Sequence, residues 1–314
     1  MKRILLFAAS WLSAGLLFAV EPLVTAQWLN DQTGRDDLVV VDVRYGGGFD
    51  QDDFAAGHIP GSVFKSYADG WREDRDGVAG VVPATEDVEA LIRSLGIGND
   101  DTVVIASNGD SSSDFGAAAR VYWTFKLMGH DQVTILNGGV KGWEQAGLDL
   151  ASASPATPEP SDFTANYQPH LRATAEDVTG AEANDIQLVD ARPTGFFTGR
   201  RQSGATRVAG TIPGSINLPE ENMLSMNGDT AYFITADRLQ GLIDEAALKY
   251  DAGGTIAFCN TGHWAATDWF ALSEIAGLDN VAMYDGSMAD WTQDESRPVQ
   301  TEARGLGRLL QIFN

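Results

Sequence analysis

Short, mostly apolar runs alternate with amphipathic stretches along most of this chain. Leu38–Val41, Thr102–Ala106, Val133–Leu136, Ile186–Val189, Thr255–Phe258 and Val281–Tyr284 have strand length and little polar content. Between them Thr85–Leu95, Ala117–Met128, Ala236–Ala247 and Trp264–Ile275 place apolar residues at helical spacing. Strands that are apolar throughout are buried on both faces. Alternation of such strands with helices therefore predicts an α/β fold, a mostly parallel sheet with helices on both faces.

The pattern occurs twice, at an offset of roughly 150 residues. Leu38-Val39-Val40-Val41-Asp42-Val43-Arg44 answers Ile186-Gln187-Leu188-Val189-Asp190-Ala191-Arg192. Gly57-His58-Ile59-Pro60-Gly61-Ser62 answers Gly210-Thr211-Ile212-Pro213-Gly214-Ser215, and Asn137-Gly138-Gly139 with Trp143 answers Asp285-Gly286-Ser287 with Trp291. Two tandem domains of one design are expected, at residues 21–150 and 171–300. The Pro-, Ser- and Thr-containing stretch 151–170 has neither period and reads as a linker, and 301–314 as a tail.

Lys2 and Arg3 precede the uncharged run Ile4–Val20, so residues 1–20 read as a signal peptide or N-terminal anchor. The expectation is export to a periplasmic or extracellular location, with membrane contact only if the segment stays attached. The formal net charge of -23 argues against a nucleic-acid partner.

Cys259 is the only cysteine in the chain, so it has no partner for an internal disulfide. It ends an apolar strand pattern, and Gly262 and His263 follow just before a helical stretch that starts at Trp264. A strand, a tight loop and a helix start direct backbone amides at one spot, and such a spot favours an anion such as a thiolate. The bland alternative is an inert buried thiol. In the first half Ser107 takes the equivalent position and has no evident base.

In the order of these landmarks the chain resembles the tandem rhodanese family, the thiosulfate/3-mercaptopyruvate sulfurtransferases. The resemblance implies an inactive first domain that acts as a scaffold and a second domain that holds the transferred sulfur on Cys259 as a persulfide. It further implies a small anionic sulfur donor, with thiosulfate favoured, and a thiol or cyanide acceptor. No metal or organic cofactor is implied. Asn260, Thr261, Gly262, His263 and Trp264 would bind substrate, largely through their amides, while Asp190 and Arg192 would support the loop from below.

Three departures bear on the donor. Phe196 stands four residues after Arg192, where many relatives place an arginine. The loop carries no Arg or Lys, so His263 is the one group within it that could bring positive charge or donate a side-chain hydrogen bond to a bound oxyanion, with simple packing as its other reading. Arg200, Arg201 and Arg207 could supply the missing cation or stand on the surface. A mercaptopyruvate-type loop is not matched, although 3-mercaptopyruvate remains the alternative donor.

Rival chemistries are weaker. A cysteine phosphatase needs an arginine six residues after its cysteine, where Ala265 stands here. A cysteine hydrolase needs a positioned base, and His263 lies in the same short loop. A noncatalytic persulfide carrier for a protein partner is separated from an enzyme only by turnover.

Overall fold

The computed structural model describes residues 20–152 and 157–301. The expected targeting segment before Val20 and the tail beyond Thr301 lie outside the described residues. Each half holds an all-parallel sheet. The first orders its strands Leu23–Val24, Val133–Leu136, Thr102–Ala106, Leu38–Asp42 and Val63–Phe64. The second orders Val281–Met283, Gly254–Phe258, Ile186–Asp190 and Ile216–Asn217.

Alternate residues of each strand enter separate cores, as a two-faced strand requires. Val40, Val104 and Leu136 pack on one side of the first sheet, and Leu188, Ile256 and Phe258 on one side of the second. The other faces, with Val41, Ile105, Val189 and Ala257, join one core shared by both halves. The halves are therefore fused through apolar contacts rather than strung on a linker.

Much of that shared core is the helix Ser112–Leu127, buried almost all round and packed against the helix Trp264–Trp269. It begins five residues before the predicted Ala117, because Ser111 caps it by accepting from the Asp114 amide at 3.1 Å. The polar start Ser112–Asp114 hides that first turn from an apolar count. After Trp269 the second helix widens into π-type turns over Phe270–Ile275.

The apolar pattern does not reveal two antiparallel ribbons, Glu73–Arg75 with Val78–Val81 and Leu224–Asn227 with Thr230–Phe233. Each ribbon leads into contacts with the opposite half. The Val82 amide donates to Asp285 Oδ2 at 2.8 Å, and the Phe233 amide donates to Asn137 Oδ1 at 2.9 Å. Asn137 and Asp285 are equivalent positions of the repeat, so the exchange is reciprocal. The described part of the linker runs along the first half, with Ser161 N on Arg93 O at 3.0 Å and Asn166 N on Met128 O at 2.8 Å. No helix among the described residues is long and apolar enough to cross a membrane.

Candidate active site

Asp42 pairs with Ala106 in the first sheet and Asp190 with Phe258 in the second, so Ser107 and Cys259 leave their sheets at the same register. Both positions are at the carboxyl ends of parallel strands, where open α/β sheets place ligands. Cys259 is buried, 1% exposed, and lines a cleft of about 290 Å³.

The loop after Cys259 is fixed by its carbonyls. Cys259 O accepts from Met288 N at 3.1 Å and Asn260 O from Ala289 N at 2.9 Å. Thr261 O accepts from Arg72 Nη2 at 2.8 Å and Gly262 O from Arg120 Nη1 at 2.7 Å. In a trans peptide the C=O and the next N–H point opposite ways. Turning four carbonyls onto these anchors therefore turns the following amides away from them. Among the described residues the amides of Asn260, Thr261, His263 and Trp264 meet no acceptor, the condition for donating to a bound anion.

Gly262 differs from that expectation. Its amide and that of Cys259 both donate to Ser287 Oγ, at 3.1 and 3.0 Å, and Gly262 does not line the cleft. Its φ of +68° and the nearness of Arg120 and the Asp285 backbone leave no room for a side chain. Ser287 gives its own proton to Tyr284 O at 2.8 Å while standing 4.0 Å from Cys259 Sγ. Gly262 and Ser287 thus shape the loop from behind.

Asp190 and Arg192 are buried and paired, with Nε on Oδ1 at 2.8 Å and Nη2 on Oδ2 at 2.6 Å. Arg192 also reaches Gly210 O at 2.8 Å and, more weakly, Asn260 Oδ1 at 3.4 Å. Arg44 makes the same brace with Asp42 and Gly57 O beside Ser107, where no thiol exists. The pair is therefore a feature of the fold, present with or without the nucleophile.

His263 is enclosed rather than free to take up charge. Its Nδ1 is 2.8 Å from Tyr67 Oη and its Nε2 is 3.0 Å from Ser113 Oγ, both in the first half. Burial, and then the nearby positive charge of Arg72, hold its pKa down at about 3. A neutral imidazole that bridges two hydroxyls stands against the reading of His263 as the cation of the loop. Trp264 lines the cleft beside Phe196, their ring centroids 6.0 Å apart.

The three arginines of the insertion do not line the cleft. Arg201 lies over the Phe196 ring at 4.7 Å, Arg207 donates to Gln293 Oε1 at 2.5 Å, and Arg200 is exposed. Ser203 of the same insertion does line it. The remaining wall comes from the first half, as Tyr45, Tyr67, Arg72 and Ser113. The scaffold reading of that half is therefore too narrow, since it builds the cleft around the thiol. Nothing in the local pattern of these residues marks them, because their place depends on how the halves pack. A larger groove of about 820 Å³, with Ile186, Leu188, Ile212 and Trp291 in its lining, lies toward the amino-terminal ends of the second sheet and contains no thiol.

The rhodanese-like domain profile matches this chain twice, over residues 25–146 and 175–294. The chain belongs to the rhodanese family. A Saccharopolyspora erythraea protein provisionally named a thiosulfate sulfurtransferase is 34% identical over 290 residues, 89% of this chain and 96% of that one. The thiosulfate sulfurtransferase of Corynebacterium glutamicum is 31% identical over 297 residues, 90% of this chain and 91% of that one. Among solved structures, SseA of Escherichia coli, one of the 3-mercaptopyruvate sulfotransferases of rhodanese fold, superposes with a TM-score of 0.73 at 26% identity. That match covers 85% of this chain and 99% of SseA. As a tandem rhodanese with such relatives, the chain is a sulfurtransferase.

Proposed function

We propose that this rhodanese transfers a sulfane sulfur from a small anionic donor, thiosulfate in preference to 3-mercaptopyruvate, to a thiol or cyanide through a persulfide on Cys259. The observation that carries the proposal is the loop around the only thiol, whose four carbonyls are turned onto anchors while, among the described residues, the amides of Asn260, Thr261, His263 and Trp264 have no acceptor.

In the first step the Cys259 thiolate attacks the outer sulfur of thiosulfate. A Cys259 Sγ–S bond forms, the S–S bond of the donor breaks, and sulfite departs with that electron pair. In the second step cyanide attacks the outer persulfide sulfur, thiocyanate leaves, and the thiolate returns. Negative charge stays within the loop throughout, and amides without protein acceptors can stabilise it in both states. The curated relatives named for thiosulfate support that donor. Nothing in the loop is built around a keto group.

The test is intact-mass measurement after incubation with thiosulfate, followed by cyanide. Wild type should gain one sulfur atom and lose it as thiocyanate over many turnovers, and Cys259→Ser should do neither. A wild type that takes up sulfur but never turns over with small acceptors would favour a carrier for a protein partner.

A further inference from the structure

The loop of the second half has no lysine or arginine, yet the proposed donor is an anion. The cleft does contain a cation, from the other half. Arg72 stands just before the ribbon Glu73–Arg75 and lines the cleft together with Cys259.

Its guanidinium is held on one side only. Nη2 donates to Thr261 O at 2.8 Å and to Thr261 Oγ1 at 3.1 Å, and Nε donates to Gly80 O at 3.3 Å. Its Cζ stands 5.6 Å from the centroid of the Tyr67 ring. Among the described residues Nη1 has no partner and no carboxylate lies within ion-pair distance. A side chain at Gly80 would run into Arg72 Nη2, so the glycine keeps open the space the arginine occupies.

The other buried arginines are neutralised. Arg192 pairs with Asp190, Arg44 with Asp42, and Arg120 stands 3.7 Å from Asp285. In a chain with 44 acidic and 21 basic residues, a half-buried arginine without an acidic partner beside the nucleophile is chemically specific. Its charge is felt in the cleft. After burial it is the largest influence lowering the pKa of His263, and it opposes the effect of burial on Tyr67.

We infer that Arg72 anchors the anionic group of the sulfur donor, so that the half without a thiol supplies the cation that the cysteine loop lacks. A guanidinium with a free Nη1 suits a sulfonate-like or carboxylate head group. This assignment rests on the reading of the chain as a sulfurtransferase with an anionic donor, and makes Arg72 a determinant of donor specificity.

The test separates charge recognition from loop holding and from sulfur transfer. Cys259 is alkylated with iodoacetate and, separately, with iodoacetamide, reagents of similar shape that differ in charge. Steady-state kinetics with thiosulfate are run beside them on wild type, Arg72→Gln and Arg72→Lys. Arg72→Gln should slow iodoacetate about tenfold and raise KM for thiosulfate about tenfold, as loss of a charge-assisted contact implies. Iodoacetamide rates and kcat should fall by a smaller factor, the share due to the lost Thr261 contact, and Arg72→Lys should recover part of the iodoacetate rate and of KM. Equal slowing with both reagents would overturn the inference and reduce Arg72 to a support for Thr261, as would a Gln variant with unchanged iodoacetate rate and KM. If wild type fails to take sulfur from thiosulfate but still loses its iodoacetate preference on Arg72→Gln, the anion site stands and the donor assignment falls.

Discussion

Arg120, on the buried helix of the first half, donates from Nη1 to the carbonyl of Gly262 in the cysteine loop of the second half at 2.7 Å. Its Nη2 takes Gly80 O at 3.2 Å, so one fully buried side chain ties the ribbon of its own half to the loop of the other. The guanidinium is costly to bury, and burial brings its pKa down to about 10 despite the pull of Asp285. Arg120→Met keeps an apolar stem but leaves both carbonyls without that donor. Denaturant unfolding should show a loss of about 1–3 kcal/mol. Sulfur-transfer kcat/KM should fall by more than stability explains, about tenfold or more, because the following amides are no longer aimed. A variant with wild-type kcat/KM would show that the loop keeps its shape without this donor.

Ser107 occupies the register of Cys259 in the first sheet but does not line the cleft. Its backbone carbonyl accepts from Val140 N at 2.9 Å, and its hydroxyl helps Asp114 hold its charge. Ser107→Ala should therefore leave turnover within about twofold of wild type while costing about 0.5–1.5 kcal/mol of stability. Paired kinetics and thermal unfolding check both. A large loss of turnover at unchanged stability would place Ser107 in the chemistry.

The sheets, the doubled pattern and the strand-loop-helix around Cys259 were legible because burial on two faces leaves a continuous apolar run, and Asp190, Arg192 and Cys259 lie at motif positions. What was not legible is everything that crosses between halves. Tyr67 and Glu220 are equivalent in the repeat, with amides on Val43 O and Ala191 O, and each reaches the opposite half, Tyr67 to His263 and Glu220 to Ser112. Neither could be assigned from a local pattern, which reports that a side chain is buried but not against what. Arg72 and Arg120 are missed for the same reason, since a lone arginine in sequence looks like surface.

Glu220 gives a prediction with a sign. Burial raises its pKa from 4.5 to about 7, partly opposed by the hydrogen bond from Ser112 Oγ at 3.3 Å, and Oε2 has no partner. Between those values the folded state holds a proton that the unfolded state has released. The group's contribution to stability is thus present at low pH and lost as pH rises through that window. Glu220→Gln, similar in shape and uncharged, should be more stable than wild type above pH 7 by on the order of 1–3 kcal/mol and nearly equal to it near pH 4. Unfolding curves across pH test this, and an offset independent of pH would remove ionisation as the cause.

Lys2, Arg3 and the uncharged run to Val20 predict that the mature protein is found outside the cytoplasm. Cell fractionation with N-terminal sequencing checks location and cleavage together. A cytoplasmic protein that begins at Met1 would contradict the expectation.

His263 supplies the final prediction, and here the enclosure of its ring stands against the charge that the sequence suggested. A protonated imidazole would make donor use rise as pH falls toward 6.5, while loss of thiolate opposed it, giving a bell-shaped profile. The enclosed ring, between Tyr67 and Ser113 and beside Arg72, stays neutral down to about pH 3. Persulfide formation should therefore depend on pH in the same way in wild type and His263→Asn across the neutral range, with any slowing from altered packing the same at every pH. The stability effect has a defined direction. With the folded pKa depressed from 6.5 to about 3, the unfolded state binds the extra proton, so this group's contribution is present above pH 6.5 and is lost as pH falls through the interval. Wild type should lose stability relative to His263→Asn on acidification across that interval. An acid limb near pH 6.5 that is present in wild type and absent in the variant would restore the charged role for His263.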